Sequence, residues 1–140
     1  MRLVVDPGVL IAALLTPEGP PAAIVLAARS EQIELVVSPR LLGELSSVLA
    51  REKFRRWVSI DEARDYVEGL ARLALTVADP PSGEPITRDP KDDHLVRLAL
   101  GSGSDFRVSG DGDLLDAASA DLGVSIVAPR RFLDIFDPDG

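Results

Sequence analysis

Apolar residues along the chain fall into two alternating rhythms, short β-rich runs and longer stretches with helical spacing. The short runs are "RLVV" (2–5), "IELVVS" (33–38), "DFRVS" (105–109) and "VSIVA" (124–128), and each predicts a strand. Between them lies "VLIAALL" (9–15), mostly apolar and therefore a buried helix. "PPAAIVLAARS" (20–30) opens with prolines that suit a first helical turn. Ser38 and Pro39 form a cap and N1 pair ahead of "RLLGELSSVLARE" (40–52). The Ser and Glu of "SIDE" (59–62) are spaced as a capping box, which starts a helix predicted to run to about Thr76. Further helices are predicted at "DHLVRLALGSG" (93–103), closed by glycine, at "LLDAASADLG" (114–123) and at "PRRFLDIF" (129–136). No strand-turn-strand spacing of hairpins occurs. The alternation therefore predicts an α/β fold of three layers, α/β/α, with helices on both faces of a central parallel sheet of four to five strands. The segment "ADPPSGEPITRDPKD" (78–92) reads as a long loop with room for one short strand at "PIT".

Composition narrows the chemistry. A chain of 140 residues, 46% hydrophobic and 27% charged, is expected to form one globular domain over 1–140, with an aliphatic core because aromatics are only 4%. A net charge of −8 argues against a surface that binds polyanions passively, so a nucleic-acid partner has to be met locally. Cysteine is absent and histidine occurs once, at His94, which excludes disulfides, a thiolate nucleophile and the usual zinc sites. A metal held by side chains then needs mostly oxygen ligands, which points to Mg²⁺ or Mn²⁺ ahead of Ca²⁺. The start "MRLVVD" meets an acid too early for a signal peptide, and the apolar runs are too short to span a bilayer, so the expected localisation is cytoplasmic with no membrane partner.

Within the acidic complement, four positions are not random. Asp6 and Asp111 follow predicted strands, and the carboxyl ends of parallel strands are where open α/β sheets bind ligands. Asp93 begins a helix, whose dipole favours negative charge there. Glu44 shares its helix with an apolar stripe, Leu41, Leu45, Val48 and Leu49, and helical spacing sets its carboxylate on the inward face. Such a group needs a cation or a proton. Carboxylates gathered at one place repel unless a divalent cation keeps them ionised, and an acid cluster with Mg²⁺ is a device for phosphoryl chemistry. Each acid also has a bland reading. Asp6 before Pro7 is an ordinary helix cap, Asp93 an acid at a helix start with Asp92 competing, and Asp111 and Asp113 members of a Gly/Asp turn.

Taken in order, "VVDPGVLIAALLTPEGPPA", "ELVVSPRLLGELSSVLAREKFRRW", "RDPKDDHLVRLALGSGSDFRVSGDGDLL" and "VAPRRFLDIF" resemble the PIN-domain ribonucleases. The likeness is greatest to the bacterial toxin components of toxin–antitoxin systems, and it covers essentially the whole chain. The resemblance implies a PIN-like sheet fold and a Mg²⁺- or Mn²⁺-dependent endonuclease acting on single-stranded RNA. It implies catalytic roles for Asp6, Glu44, Asp93 and Asp111, metal ligation by Asp6, Asp93, Asp111 and Asp113, and a supporting role for Ser109. It also implies a homodimer and an antitoxin protein partner. One departure stands in the opening motif, where the family's usual Asp-Thr-Asn reads Asp6-Pro7-Gly8.

Two further features carry paired readings. His94 beside Asp93 reads as a surface or rim residue, since helical neighbours point about 100° apart, with RNA contact as the lesser reading. The run "REKFRRW" (51–57) either holds an RNA backbone through Lys53, Arg55 and Arg56 beside Phe54 and Trp57, or supplies the positive charge a helix C-terminus favours. The competing function class is a catalytically weakened PIN fold serving as a binding or dimerisation module. A receiver-type phosphoacceptor domain is disfavoured because neither Lys53 nor Lys91 follows a late strand.

Overall fold

The structure, a computed structural model, describes residues 1–83, 90–110 and 123–137, and the side chains of 1–83, 93–110 and 123–137. The first half runs β1 (Arg2–Val5), α1 (Pro7–Leu15), α2 (Pro20–Arg29), β2 (Glu34–Val37) and α3 (Pro39–Leu49). A 3₁₀ turn (Glu52–Arg56), α4 (Ile60–Leu73) and β3 (Leu75–Thr76) follow. The described chain closes with α5 (Pro90–Ser102), β4 (Phe106–Val108), β5 (Ser125–Val127) and α6 (Pro129–Phe136). The strands form one five-stranded sheet in the order β3-β2-β1-β4-β5, every pairing parallel. With helices on both faces, this is the three-layer α/β/α architecture that the alternating pattern predicts.

Covering both faces demands apolar side chains on successive strand positions. Leu3, Val4 and Val5 of β1 and Leu35, Val36 and Val37 of β2 are all buried, in the register Leu3↔Leu35 and Val4↔Val36. The core is aliphatic as expected. Leu10, Ile24, Leu41, Leu45, Leu70 and Leu98 are sealed from solvent, and Phe132 of α6 packs edge-on to Phe106 with 5.8 Å between ring centroids. Helix α5 packs on β1 and β4, and α1 on α2 and α3. Among the described residues, no single helix is long and apolar enough to cross a membrane.

Local signals set the element ends. Ser38 Oγ accepts from the Leu41 N–H at the start of α3, and Ser59 and Glu62 make the reciprocal capping box of α4. Helix α5 ends at Gly103, whose φ of +69° favours glycine, with the Ser104 N–H donating to the Ala99 carbonyl. Three boundaries differ from expectation. Helix α3 ends at Leu49 where the pattern runs on to Glu52, because the chain tightens there into the 3₁₀ turn. The start of α5 is Pro90, inside the segment read as loop, with proline in its first turn. Helix α4 stops at Leu73 instead of running to about Thr76, and Leu75 and Thr76 become an edge strand opposite Val36 and Val37. A two-residue strand is too short to show a period in the sequence, and only pairing to β2 defines it. The predicted strand at "PIT", the "GDGD" turn beyond Gly110 and the helix at 114–123 lie outside the described residues, Gly123 excepted.

Candidate active site at the carboxyl edge of the sheet

Strand β1 lies between β2, which follows it in the chain, and β4, which arrives much later. The strand order therefore reverses between β1 and β4, and the crevice at their carboxyl ends is where such sheets bind ligands. Asp6 stands there, directly after β1. Its N–H donates to the Val108 carbonyl of β4 at 2.9 Å, and its own carbonyl accepts from Val9 and Leu10 in the first turn of α1.

The Asp6 side chain makes no cap hydrogen bond, so Pro7 at N1 and the Asp6 backbone start α1 without it. The carboxylate turns instead to Arg107 of β4, whose Nε donates to Oδ1 at 2.9 Å and whose Nη2 donates to Oδ2 at 3.0 Å. Both side chains are withdrawn from water, 3% exposed for Arg107 and 16% for Asp6. Sheet register explains the meeting. Arg107 lies opposite Val4, and side chains on one face alternate, so the next same-face position along β1 is Asp6. Sequence reasoning passed over Arg107, although a signal was present. An arginine inside a strand of a sheet covered on both faces must find an anion.

A second group gathers around the start of α3. The Arg40 N–H donates to both oxygens of Asp79 at 3.2 Å, which sets a carboxylate on the positive end of the helix dipole. His94 Nε2 lies 3.5 Å from Ser38 Oγ and 3.7 Å from Asp79 Oδ1. His94 is 5% exposed, not on a surface or rim, because it packs against Ser38 and Asp79 at the start of α3, and its neighbour Asp93 is also buried. Burial, with the Arg40 guanidinium adding to it, holds the imidazole below the usual histidine range, and Asp79 and Glu44 act the other way. The ring is therefore neutral at pH 7. Both short contacts meet the same nitrogen, so the Ser-His-Asp set is not a relay through two ring nitrogens.

Glu44 departs from expectation. The buried stripe of α3 is Leu41, Leu45 and Leu49, and Glu44 lies on its flank, about 60° round from Leu41 and about 100° from Leu45 at ~100° per residue. Its side chain is 29% exposed, and its cation is Arg40 one turn earlier, with Nε 3.4 Å from Oε1. The carboxylate is the weakest of the charges that act on His94 in α5. Ser109, buried just after β4, donates its backbone N–H to the Val127 carbonyl. Asp111 and Asp113 lie outside the described residues.

The basic run behaves as two separate things. Arg55 turns inward and donates to the Leu49 carbonyl at the end of α3, whereas Lys53 and Arg56 are exposed and lie over the rings of Phe54 and Trp57 at 5.1 and 4.9 Å. Helix α3 has 11 residues. At ~1.5 Å per residue the run therefore sits about 16 Å from the carboxyl edge of the sheet.

The donors at this edge suit a hard divalent cation in kind, being carboxylate and hydroxyl oxygens, and the Arg107 guanidinium marks a place where Asp6 already holds a positive charge. Among the described residues, no group of three or more carboxylate or histidine ligands is gathered as a metal site.

Comparison with known proteins places these features. "Uncharacterized protein MJ1680" of Methanocaldococcus jannaschii is 22% identical over 144 residues, covering 98% of this chain and 92% of its own. Among solved structures, a chain from VapBC2 of Rickettsia felis, crystallised bound to a DNA fragment from their promoter, superposes with a TM-score of 0.64 at 9% identity. That superposition covers 90% of this chain and 98% of the other, and it shows a shared fold. The family model of the PIN domain matches residues 2–113, from β1 through the acids that follow β4, and the chain therefore belongs to the PIN domain family, whose members are generally nucleases.

Proposed function

We propose that this PIN domain is a divalent-metal-dependent endoribonuclease that hydrolyses phosphodiester bonds of single-stranded RNA, acting as the toxin of a toxin–antitoxin pair. The observation that carries the reading is the position of Asp6, a half-buried carboxylate at the reversal of strand order, with Ser109 directly after the neighbouring strand. Asp93 and Glu44, which the resemblance names with it, sit in the first turn of α5 and on α3, and Asp93 is buried. Asp6, Asp93, Asp111 and Asp113 would hold Mg²⁺ or Mn²⁺, which when bound supplies Lewis-acid activation of the phosphodiester. The reaction adds a water oxygen to phosphorus as the 3′-oxygen leaves with its electron pair, and a carboxylate takes the proton of the attacking water. Lys53 and Arg56 offer exposed cations, each over an aromatic ring, for RNA passing along α3.

An antitoxin partner and a homodimer belong to the same reading, supported by the fold shared with a VapBC2 chain and by exposed apolar side chains. Trp57 and Ile60 are 59% and 44% exposed, and Ile60 lines a groove of about 360 Å³ with Leu49, Ala63 and Val67 between α3 and α4. A cytoplasmic location goes with an RNA target.

The test is cleavage of a single-stranded RNA with Mn²⁺ present. EDTA should abolish cutting, and Asp93→Asn should lower the rate by about 10²-fold or more. Cutting that survives both changes would belong to a contaminant. A second reading, a PIN fold kept as a binding module, is favoured by the engagement of both Asp6 oxygens with Arg107, and predicts no cleavage with any divalent ion.

A further inference from the structure

The PIN fold does not explain why a carboxylate expected to meet a divalent ion is already paired with a buried guanidinium from the adjacent strand. Both Asp6 oxygens accept from Arg107 at ordinary charge-assisted distances, and α1 starts without help from the Asp6 side chain. The pair is therefore not a by-product of capping. It spans β1 and β4 at the point where the strand order reverses, with Arg107 held in register between Val4 and Ile126. Two positive charges at one half-buried carboxylate repel strongly in a medium less polarisable than water.

We infer that Arg107 is an intrinsic cation of the site, holding Asp6 in place without metal and competing with the divalent ion for its carboxylate. Arg107 is thus a positioning residue that sets how much free Mg²⁺ or Mn²⁺ the site needs. The inference rests on the nuclease reading, in which Asp6 is a metal ligand. It also gives meaning to the Pro7-Gly8 departure. Pro7 and Gly8 bring neither a hydroxyl nor an amide to Asp6, and a guanidinium from the neighbouring strand holds its carboxylate.

The test is calorimetric titration of the full chain with Mn²⁺, free of RNA and at fixed ionic strength, for wild type, Arg107→Met and Arg107→Lys. Arg107→Met should bind Mn²⁺ about tenfold tighter or better, within the range usual for coupled sites, while Arg107→Lys keeps the charge and stays near wild type. Equal affinity in wild type and Arg107→Met would overturn the competition and leave the nuclease reading standing. Absence of Mn²⁺ binding in all three would overturn both. Should Arg107→Met fail to fold, the wild-type protein decides. On adding Mg²⁺, the side-chain Nε–H resonance of Arg107 should shift or lose its protection from solvent. Mg²⁺ binding that leaves this resonance unmoved would overturn the inference.

Discussion

Asp6 and Arg107 cannot be altered singly without consequence for the fold. Removing one partner of a buried pair leaves the other charge desolvated, at a cost of about 3–5 kcal/mol, whereas replacing both with groups of similar size is often close to neutral. Asp6→Asn should therefore lower the urea midpoint sharply, and Asp6→Asn with Arg107→Met should recover much of the loss. The coupling from the double-mutant cycle should fall near the top of the ~0.5–3 kcal/mol range of contacting residues. A coupling near zero would mean that the observed bidentate geometry carries no energy. A lost activity in Asp6→Asn is accordingly no proof of a catalytic role until stability has been measured. Legibility at this scale was uneven. Asp6 and Asp93 are singled out by position in the chain, and the structure sets Asp6 directly after β1 and Asp93 in the first turn of α5. Arg107 and Asp79 are not singled out, because their importance comes from partners 101 and 39 residues away. His94 reads as a surface or rim residue because helical angle alone does not reveal that Ser38 and Asp79 close over it.

At the scale of elements, capping chemistry and apolar spacing are enough to read β1, β2, α2 and α6 to within a residue or two, and the start of α3, whose end carries no proline or glycine stop. The two-residue β3 was not readable, having no period and a partner, β2, that is distant in sequence. The same element logic predicts where the fold is open to improvement. Gly43 in α3 and Gly69 in α4 sit inside helices, and a Cβ at either meets nothing within 4 Å. Gly43→Ala and Gly69→Ala should each stabilise by about 0.5–1 kcal/mol through helix propensity and a less entropic unfolded chain. Together they should raise the melting temperature by roughly 2–8 °C, at ~2–4 °C per kcal/mol for a domain of this size. Ser59→Ala should act in the opposite sense, costing about 1 kcal/mol by removing the capping box. Thermal melts of the three variants check this, and unchanged melting temperatures would show that the termini and interiors of these helices do not limit stability.

The whole molecule poses a problem that neither residues nor elements pose, because a chain of net charge −8 is proposed to act on a polyanion. Long-range electrostatics oppose the encounter, so affinity has to come from a few local cations and from the ion at the carboxyl edge. The exposed cations singled out near α3 are Lys53 and Arg56, since Arg55 is committed to the Leu49 carbonyl. Binding of single-stranded nucleic acid loses affinity with salt at a log–log slope of about −0.7 per phosphate neutralised, so two contacts predict a slope near −1.4. With Mn²⁺ held constant, kcat/KM for RNA cleavage plotted against KCl concentration should therefore fall with a shallow slope, between about −1 and −2. Replacing Lys53 and Arg56 together by glutamine should flatten it further while leaving the Mn²⁺ requirement unchanged, because these side chains lie at the far end of α3 from Asp6. A slope of about −4 or steeper would require some six phosphate contacts. That outcome would move the RNA path onto a cationic track that the 3₁₀ turn after α3 does not supply.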